Sequence, residues 1–232
     1  EKDWIRSFTF VLGSDQFGRD VLSRIIFGAR VSLAVGICAS TLSLLIGVLL
    51  GGVAGFFGRY IETFIMRLTD IMFGFPVLLF LIAITTVFEP SLMVVFVAIG
   101  VVTWPGMARL VRGQVLSIKT QEYVLAARAL GLGSGDVLWK HVFPNCISPI
   151  IVTYTLGVGS AILAEASLSF LGLGAQPPTA SWGSMISLGK DFIRTAPWIS
   201  VAPGAVIAIT VLGFNLVGDS IRDHLDPKMN SK

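Results

Sequence analysis

Charge is scarce in this chain. Of its 232 residues 13% are Asp, Glu, Lys or Arg against 54% apolar, and the mean hydropathy is +0.82. That balance excludes a water-soluble domain of this length. Histidine is scarcer still: His141 and His224 are the two in the chain, neither falls inside an apolar run, and there is no HExxH. A zinc-dependent intramembrane protease and a serine hydrolase with its base inside the bilayer are both unsupported. The two cysteines, Cys38 and Cys146, lack CxxC spacing, and neither is expected in an oxidising location, so no disulfide is expected. A net charge of +3 is too small to imply nucleic-acid binding. No repeat of 20–50 residues is evident, and no basic segment followed by an apolar core marks a signal peptide. One phosphate-loop lookalike, 183–191, has five residues between Gly183 and Gly189 instead of four and Asp191 where Ser or Thr should stand. It is a coincidence of composition.

What the chain does have is long apolar runs. Crossing an apolar layer about 30 Å thick takes roughly 20 helical residues, and five runs suit: 31–57, 64–88, 91–108, 147–170 and 198–218. They are too long for the alternating segments of a membrane β-barrel. The expected fold is an all-α polytopic membrane bundle. Basic residues mark its topology: Arg109, Arg112, Lys119, Arg128 and Lys140 lie in the loop 109–145, and Arg222, Lys228 and Lys232 lie in the tail 220–232. Both are expected on the cytoplasmic side, which puts the start of a five-span chain outside. Lys2, Arg6, Arg19, Arg24 and Arg30 run against that placement, and an upstream helix before Glu1 would reconcile them as six spans with both ends inside.

Residues 1–29 read as a lead-in in which Val21, Leu22, Ile25 and Ile26 share one face of a short interfacial helix. The first span carries Ala39, Ser43, Gly47, Gly51 and Gly55 at four-residue spacing, a stripe that lets another helix approach closely. The fourth carries Thr153, Gly157, Ala161, Glu165 and Ser169 at the same spacing. A carboxylate there costs too much to face lipid, so Glu165 faces protein or a water-filled path. A structural partner, such as a basic residue of a neighbouring chain, and contact with a transported solute are both open. Arg67 and Asp70, three apart, read as a local ion pair, and the turn-rich stretch 172–183 reads as an outer loop with Trp182 and Trp198 at the membrane interface.

Between the third and fourth runs lies a polar, partly helical island, 122–145. It contains Ala126-Ala127, then Gly131 four residues after the second alanine, then Pro144 thirteen residues after that glycine. This pattern resembles the loop that ABC importer permeases present to their ATPase subunits, with Leu125, His141 and Phe143 standing where the family pattern has Glu, Ile and Leu. The stretch 12–24, Leu168 to Gly174 with Pro177-Pro178 and Ser181-Trp182-Gly183, and Phe214-Asn215 to Asp219 with Leu225-Asp226-Pro227 are similar to the dipeptide, oligopeptide and nickel branch of those permeases.

The resemblance implies a type I ABC importer transmembrane domain over 30–219, five spans of an implied six, in a bacterial or archaeal plasma membrane. It implies a related permease as heterodimer partner, two ATPase subunits, an extracytoplasmic substrate-binding protein and no cofactor in this chain, ATP and magnesium being held by the ATPases. It also assigns ATPase coupling to Glu122, Tyr123, Ala126, Ala127, Gly131, Asp136 and Pro144. The residue types agree: small side chains at Ala126 and Ala127 permit close docking, Gly131 permits a sharp turn, and Pro144 suits the start of a return helix.

Overall fold

The computed structural model describes residues 10–225. Lys2, Arg6, Lys228, Lys232 and the Asp226-Pro227 pair lie outside them. Helix α1, Val21–Phe57, opens on Asp20, whose carboxylate accepts the N–H groups of Leu22 at 3.3 Å and Ser23 at 3.0 Å. No proline falls between Val21 and Phe57, so the short helix expected over 21–26 is the first part of one 37-residue element. At 1.5 Å per residue that element is about 55 Å long, well beyond the thickness of an apolar layer.

The run expected as a single span at 64–88 is two helices, α2 (Arg59–Phe73) and α3 (Val77–Val87), bent by 87°. Pro76 has no N–H to give and disfavours helical backbone at Phe75, and Gly74 precedes them, so the chain turns there. The expected local pair also changes. Arg67 lies 3.9 Å from Asp70 and is largely exposed, whereas Arg109 of the next long helix reaches Asp70 at 2.5 Å and lays its guanidinium 4.3 Å over the Phe73 ring. One turn on, Arg112 Nε donates to Glu62 at 2.7 Å. Closer helix-to-helix pairing is added to the long pair along α2.

Those arginines belong to α4, Leu92–Ile118, which continues well past the expected end at 108. It is followed by α5 (Glu122–Ala129), α6 (Ser134–Val137), a π-helical turn (Leu138–Val142), α7 (Phe143–Phe170), α8 (Trp182–Gly189) with a 3₁₀ turn (Lys190–Phe192), and α9 (Trp198–Leu225). Among the described residues four helical stretches are long and apolar enough to cross a membrane, and the bent α2–α3 pair makes up to five.

The most extensive pairing is α1 with α4. All five residues of the 39–55 stripe are buried in it. A Cβ on Gly51 would overlap the Ala108 carbonyl and lie 2.9 Å from its Cα, and one on Gly55 would lie 2.8 Å from the Val115 Cβ, so here backbone meets backbone. Helix α7 packs against α1, α4 and α9, and Val35, Ala39, Val95, Ile99, Ala161 and Leu168 form the shared core. Trp182, expected at an interface, is 2% exposed: it starts α8, packs with Val158, Ile162 and Ile207, and donates its indole N–H to the Ile25 carbonyl at 3.0 Å. The phosphate-loop lookalike is helix α8, capped reciprocally by Ser181 and Ser184.

Candidate functional site

At one end of the bundle, the loop end, the island folds as a short helix held against the termini of α1 and α4. Lys119 at the end of α4 donates its ammonium to the Gly55 carbonyl at 2.7 Å, near the C-terminus of α1. In α5, Val124 and Ala127 are three apart and buried in a cluster with Phe56, Val115, Val137 and Phe143, while the Arg128 guanidinium sits 4.9 Å over the Phe56 ring. The two alanines therefore part company. Ala126 is exposed, whereas Ala127 is 6% exposed and faces this chain's own core.

Helix α5 ends in a Schellman motif. The Gly131 N–H bonds the Arg128 carbonyl at 2.9 Å and the Leu132 N–H bonds the Ala127 carbonyl at 3.3 Å, with Gly131 at φ +84°. A glycine four residues after Ala127 is what that cap requires. Beyond it, Asp136 is exposed and pairs with Lys140 at 2.6 Å, a contact worth little in solvent. The helical path then widens: in the π turn Phe143 donates to the carbonyl of Leu138, five residues back. Pro144 follows at once, in the first turn of α7. A proline ring collides with the carbonyl four residues before it in a regular α-helix, and a wider turn relieves that collision.

Glu122 and Tyr123 are exposed in the first turn of α5. With them, apolar side chains stand outside: Tyr123, Leu125 at 51%, Leu130 at 82% and Trp139 at 60% exposed. Sequence reading misses Leu125, Leu130 and Trp139, because in a chain this apolar a leucine in a short polar helix carries no contrast.

Two further features lie along α7. A cavity of about 250 Å³ between α1, α3, α4 and α7 has a mostly apolar wall in which Ser40, Ser43, Thr103, Thr153, Tyr154 and Ser160 also stand, the hydroxyls of Thr103, Thr153 and Ser160 bonding carbonyls of their own helices. Thr153 also lines a groove of about 700 Å³ that runs past Ser148 and Pro144 to Arg222 at the loop end. Toward the far end, Glu165 is fully buried. It accepts from Ser32 Oγ at 3.1 Å and Ser169 Oγ at 2.6 Å. Ser32 in turn accepts the Trp182 N–H at 3.2 Å, and Ser169 accepts from Ser181 Oγ at 3.3 Å. A carboxylate with no exposed surface offers nothing directly to a neighbouring chain's basic residue or to a solute, so Glu165 works as an internal tie between α1, α7 and α8.

Residues 47–231 match the family of binding-protein-dependent transport system inner membrane components. The chain is 49% identical over 94% of its length to the dipeptide transport system permease protein DppC of Alkalihalophilus pseudofirmus, covering 72% of that protein. It is 46% identical over 94% to the oligopeptide permease OppC of Bacillus subtilis, covering 71%, and 41% identical over 95% to the glutathione permease GsiD of Pectobacterium atrosepticum, covering 73%. Its fold is similar to a chain of the inward-facing MetNI methionine ABC transporter, with a TM-score of 0.75, 17% identity, and coverage of 89% of this chain and 98% of that one. With four to five apolar spans, a capped helix closing its largest loop and that ancestry, the chain belongs to the binding-protein-dependent transport system inner membrane component family, a multi-pass permease subunit of the type I ABC importer fold.

Proposed function

We propose that this permease forms half of an alternating-access path for short peptides delivered by an extracytoplasmic binding protein, and that separate ATPase subunits drive it by docking on α5. The observation that carries the reading is the exposed apolar set on and around α5. Tyr123, Leu125, Leu130 and Trp139 lie on short segments interspersed with Glu122, Arg128, Asp136 and Lys140. Lipid tails do not cover so charged a segment, and clustered apolar exposure marks a protein-binding surface. ATP and magnesium belong to the partners in this reading, and the α5 end and the end of α9 are cytoplasmic. The solute is a peptide by analogy with the named relatives. The cavity beside α7 and the groove that shares Thr153 are this chain's part of the path, uncharged along most of their length, as suits solutes of varied side chain.

Co-purification followed by reconstitution tests the proposal. The expected complex holds one related permease and two ATPase chains, and its proteoliposomes take up a labelled dipeptide only with ATP and the binding protein. Uptake without ATPase chains would establish a channel or secondary transporter instead. Labelling of a cysteine placed at Ser134, in a background lacking Cys38 and Cys146, by an impermeant reagent from outside intact cells would overturn the orientation.

A further inference from the structure

The segments 12–24 and 168–183 take no part in the loop-end site, yet they fold against one another at the far end. Between them lies a partly enclosed cavity of about 260 Å³, bounded by Arg19, Arg24, Pro177, Pro178, Thr179 and Leu188 among others. Its charge balance is uneven. Asp15 is already engaged at both oxygens: Oδ1 accepts the N–H groups of Phe17 and Arg19 at 2.9 Å each, and Oδ2 accepts from Arg19 Nε at 2.7 Å. Arg24 Nε stands 3.7 Å from that same Oδ2, too far for a hydrogen bond, although its side chain is only 14% exposed. Arg19 Nη2 and Gln16 Oε1 are both buried with no hydrogen-bond partner among the described residues, and the Arg19 guanidinium lies 4.6 Å over the Phe17 ring. Two guanidinium groups thus share one carboxylate, which leaves one positive charge and the free N–H donors of Arg24 beside walls of proline and leucine.

We propose that this pocket binds a carboxylate. A planar guanidinium fork fits a carboxylate edge-on, and one surplus positive charge balances one negative charge, where a phosphate dianion would overcompensate. The volume suits a group about the size of one amino-acid residue. Two sources carry that chemistry to this end of the molecule: an acidic side chain of the delivering protein and the C-terminus of the peptide. The choice of sources rests on the importer reading, whereas the preference for a carboxylate does not.

The test uses the assembled complex in nanodiscs, with Cys38→Ala, Cys146→Ala and Thr179→Cys, the last on an exposed wall of the pocket. An anionic methanethiosulfonate reagent is expected to label that cysteine about tenfold faster than a cationic one, as one unpaired charge at partly screened distance requires. Sodium propionate should slow labelling and propionamide should not. Adding Arg24→Gln should remove most of the preference; should that variant not assemble, the reagent ratio in the Arg24-containing protein decides alone. Equal rates, or equal protection by propionamide, overturn the proposal. Protection by the peptide-free binding protein identifies a protein side chain as the source, and protection by a dipeptide but not its C-terminal amide identifies the peptide. Protection by neither overturns the proposed biological ligand. Failure of ATP-dependent uptake in the unmodified complex would strike the importer reading and leave the labelling ratio standing.

Discussion

At the far end of the bundle a carboxylate with no exposed surface is held by Ser32 and Ser169, and a tryptophan is buried with its indole N–H bonded. At the loop end, Leu130 and Trp139 stand 82% and 60% exposed on short segments rich in charge. The Glu165 cluster completes its polar bonding within a single chain, whereas the loop end leaves apolar side chains exposed among charges. Stability of the chain by itself should therefore be written at the far end, and assembly at the loop end.

The strongest way to break that contrast is Glu165→Ala. It removes the shared acceptor of two buried hydroxyls, at a cost of about 2–5 kcal/mol, and should lower the melting temperature of the purified chain in detergent. Glu165→Gln, which keeps an acceptor, should lose less than half as much. An alanine variant that melts like the parent would show that the serine cluster is not a tie. Next in size is the pair Leu130→Ala with Trp139→Ala. Melting of the isolated chain should fall by no more than about 1.5 kcal/mol, the share owed to the Trp139 ring 4.7 Å from that of Phe143, while affinity for the ATPase subunits falls by about 2–4 kcal/mol, read by titration of the purified partner. Equal loss in both measurements would place these residues in the fold and not at an interface.

Gly131→Val sharpens the contrast further, because space around that glycine is open and only its left-handed backbone resists a side chain. The expected cost is about 1–2 kcal/mol, confined to α5 and visible as faster amide exchange there with the rest of the chain unchanged. The far end has a smaller, acid-sensitive counterpart. Burial pushes the Asp15 carboxyl up, but the N–H donors of Arg19 and Phe17 and the Arg19 guanidinium more than offset it, and its pKa lies below the ordinary value. That contribution is present above the unfolded-state pKa of about 4 and fades as pH falls through the lower folded value. Asp15→Asn should flatten the drop in melting temperature below about pH 4.

How much of this could be read beforehand depended on whether the signal was local. The glycine stripe of α1, the C-terminal ends of the runs 31–57 and 147–170 and the Ala127-to-Gly131 spacing are properties of neighbouring residues, and the local sequence displays them. The α2–α3 bend was written in Pro76, but hydropathy averaged over 64–88 conceals a corner between two apolar helices. Asp70 pairs with Arg109 more closely than with Arg67, and Glu165 found Ser32 at a separation of 133 residues; no spacing along the chain encodes such partners. The opposite fates of Ala126 and Ala127 depend on Phe56 lying under one face of α5, which only the packed bundle decides.

The π turn between α6 and α7 sets a phase. Each residue of an α-helix advances the side-chain direction by about 100°, and a five-residue hydrogen-bonded ring inserts one residue more than the α pattern uses. Everything from Phe143 onward is thereby rotated about the helix axis relative to the segment that carries Trp139. Deleting a single residue within Leu138–Val142 would wind the path into unbroken α-helix and swing Thr153, Gly157 and Ser160 roughly 100° out of alignment with α5. The π turn therefore fixes the angular offset between the surface a partner would grip and the wall of the cavity.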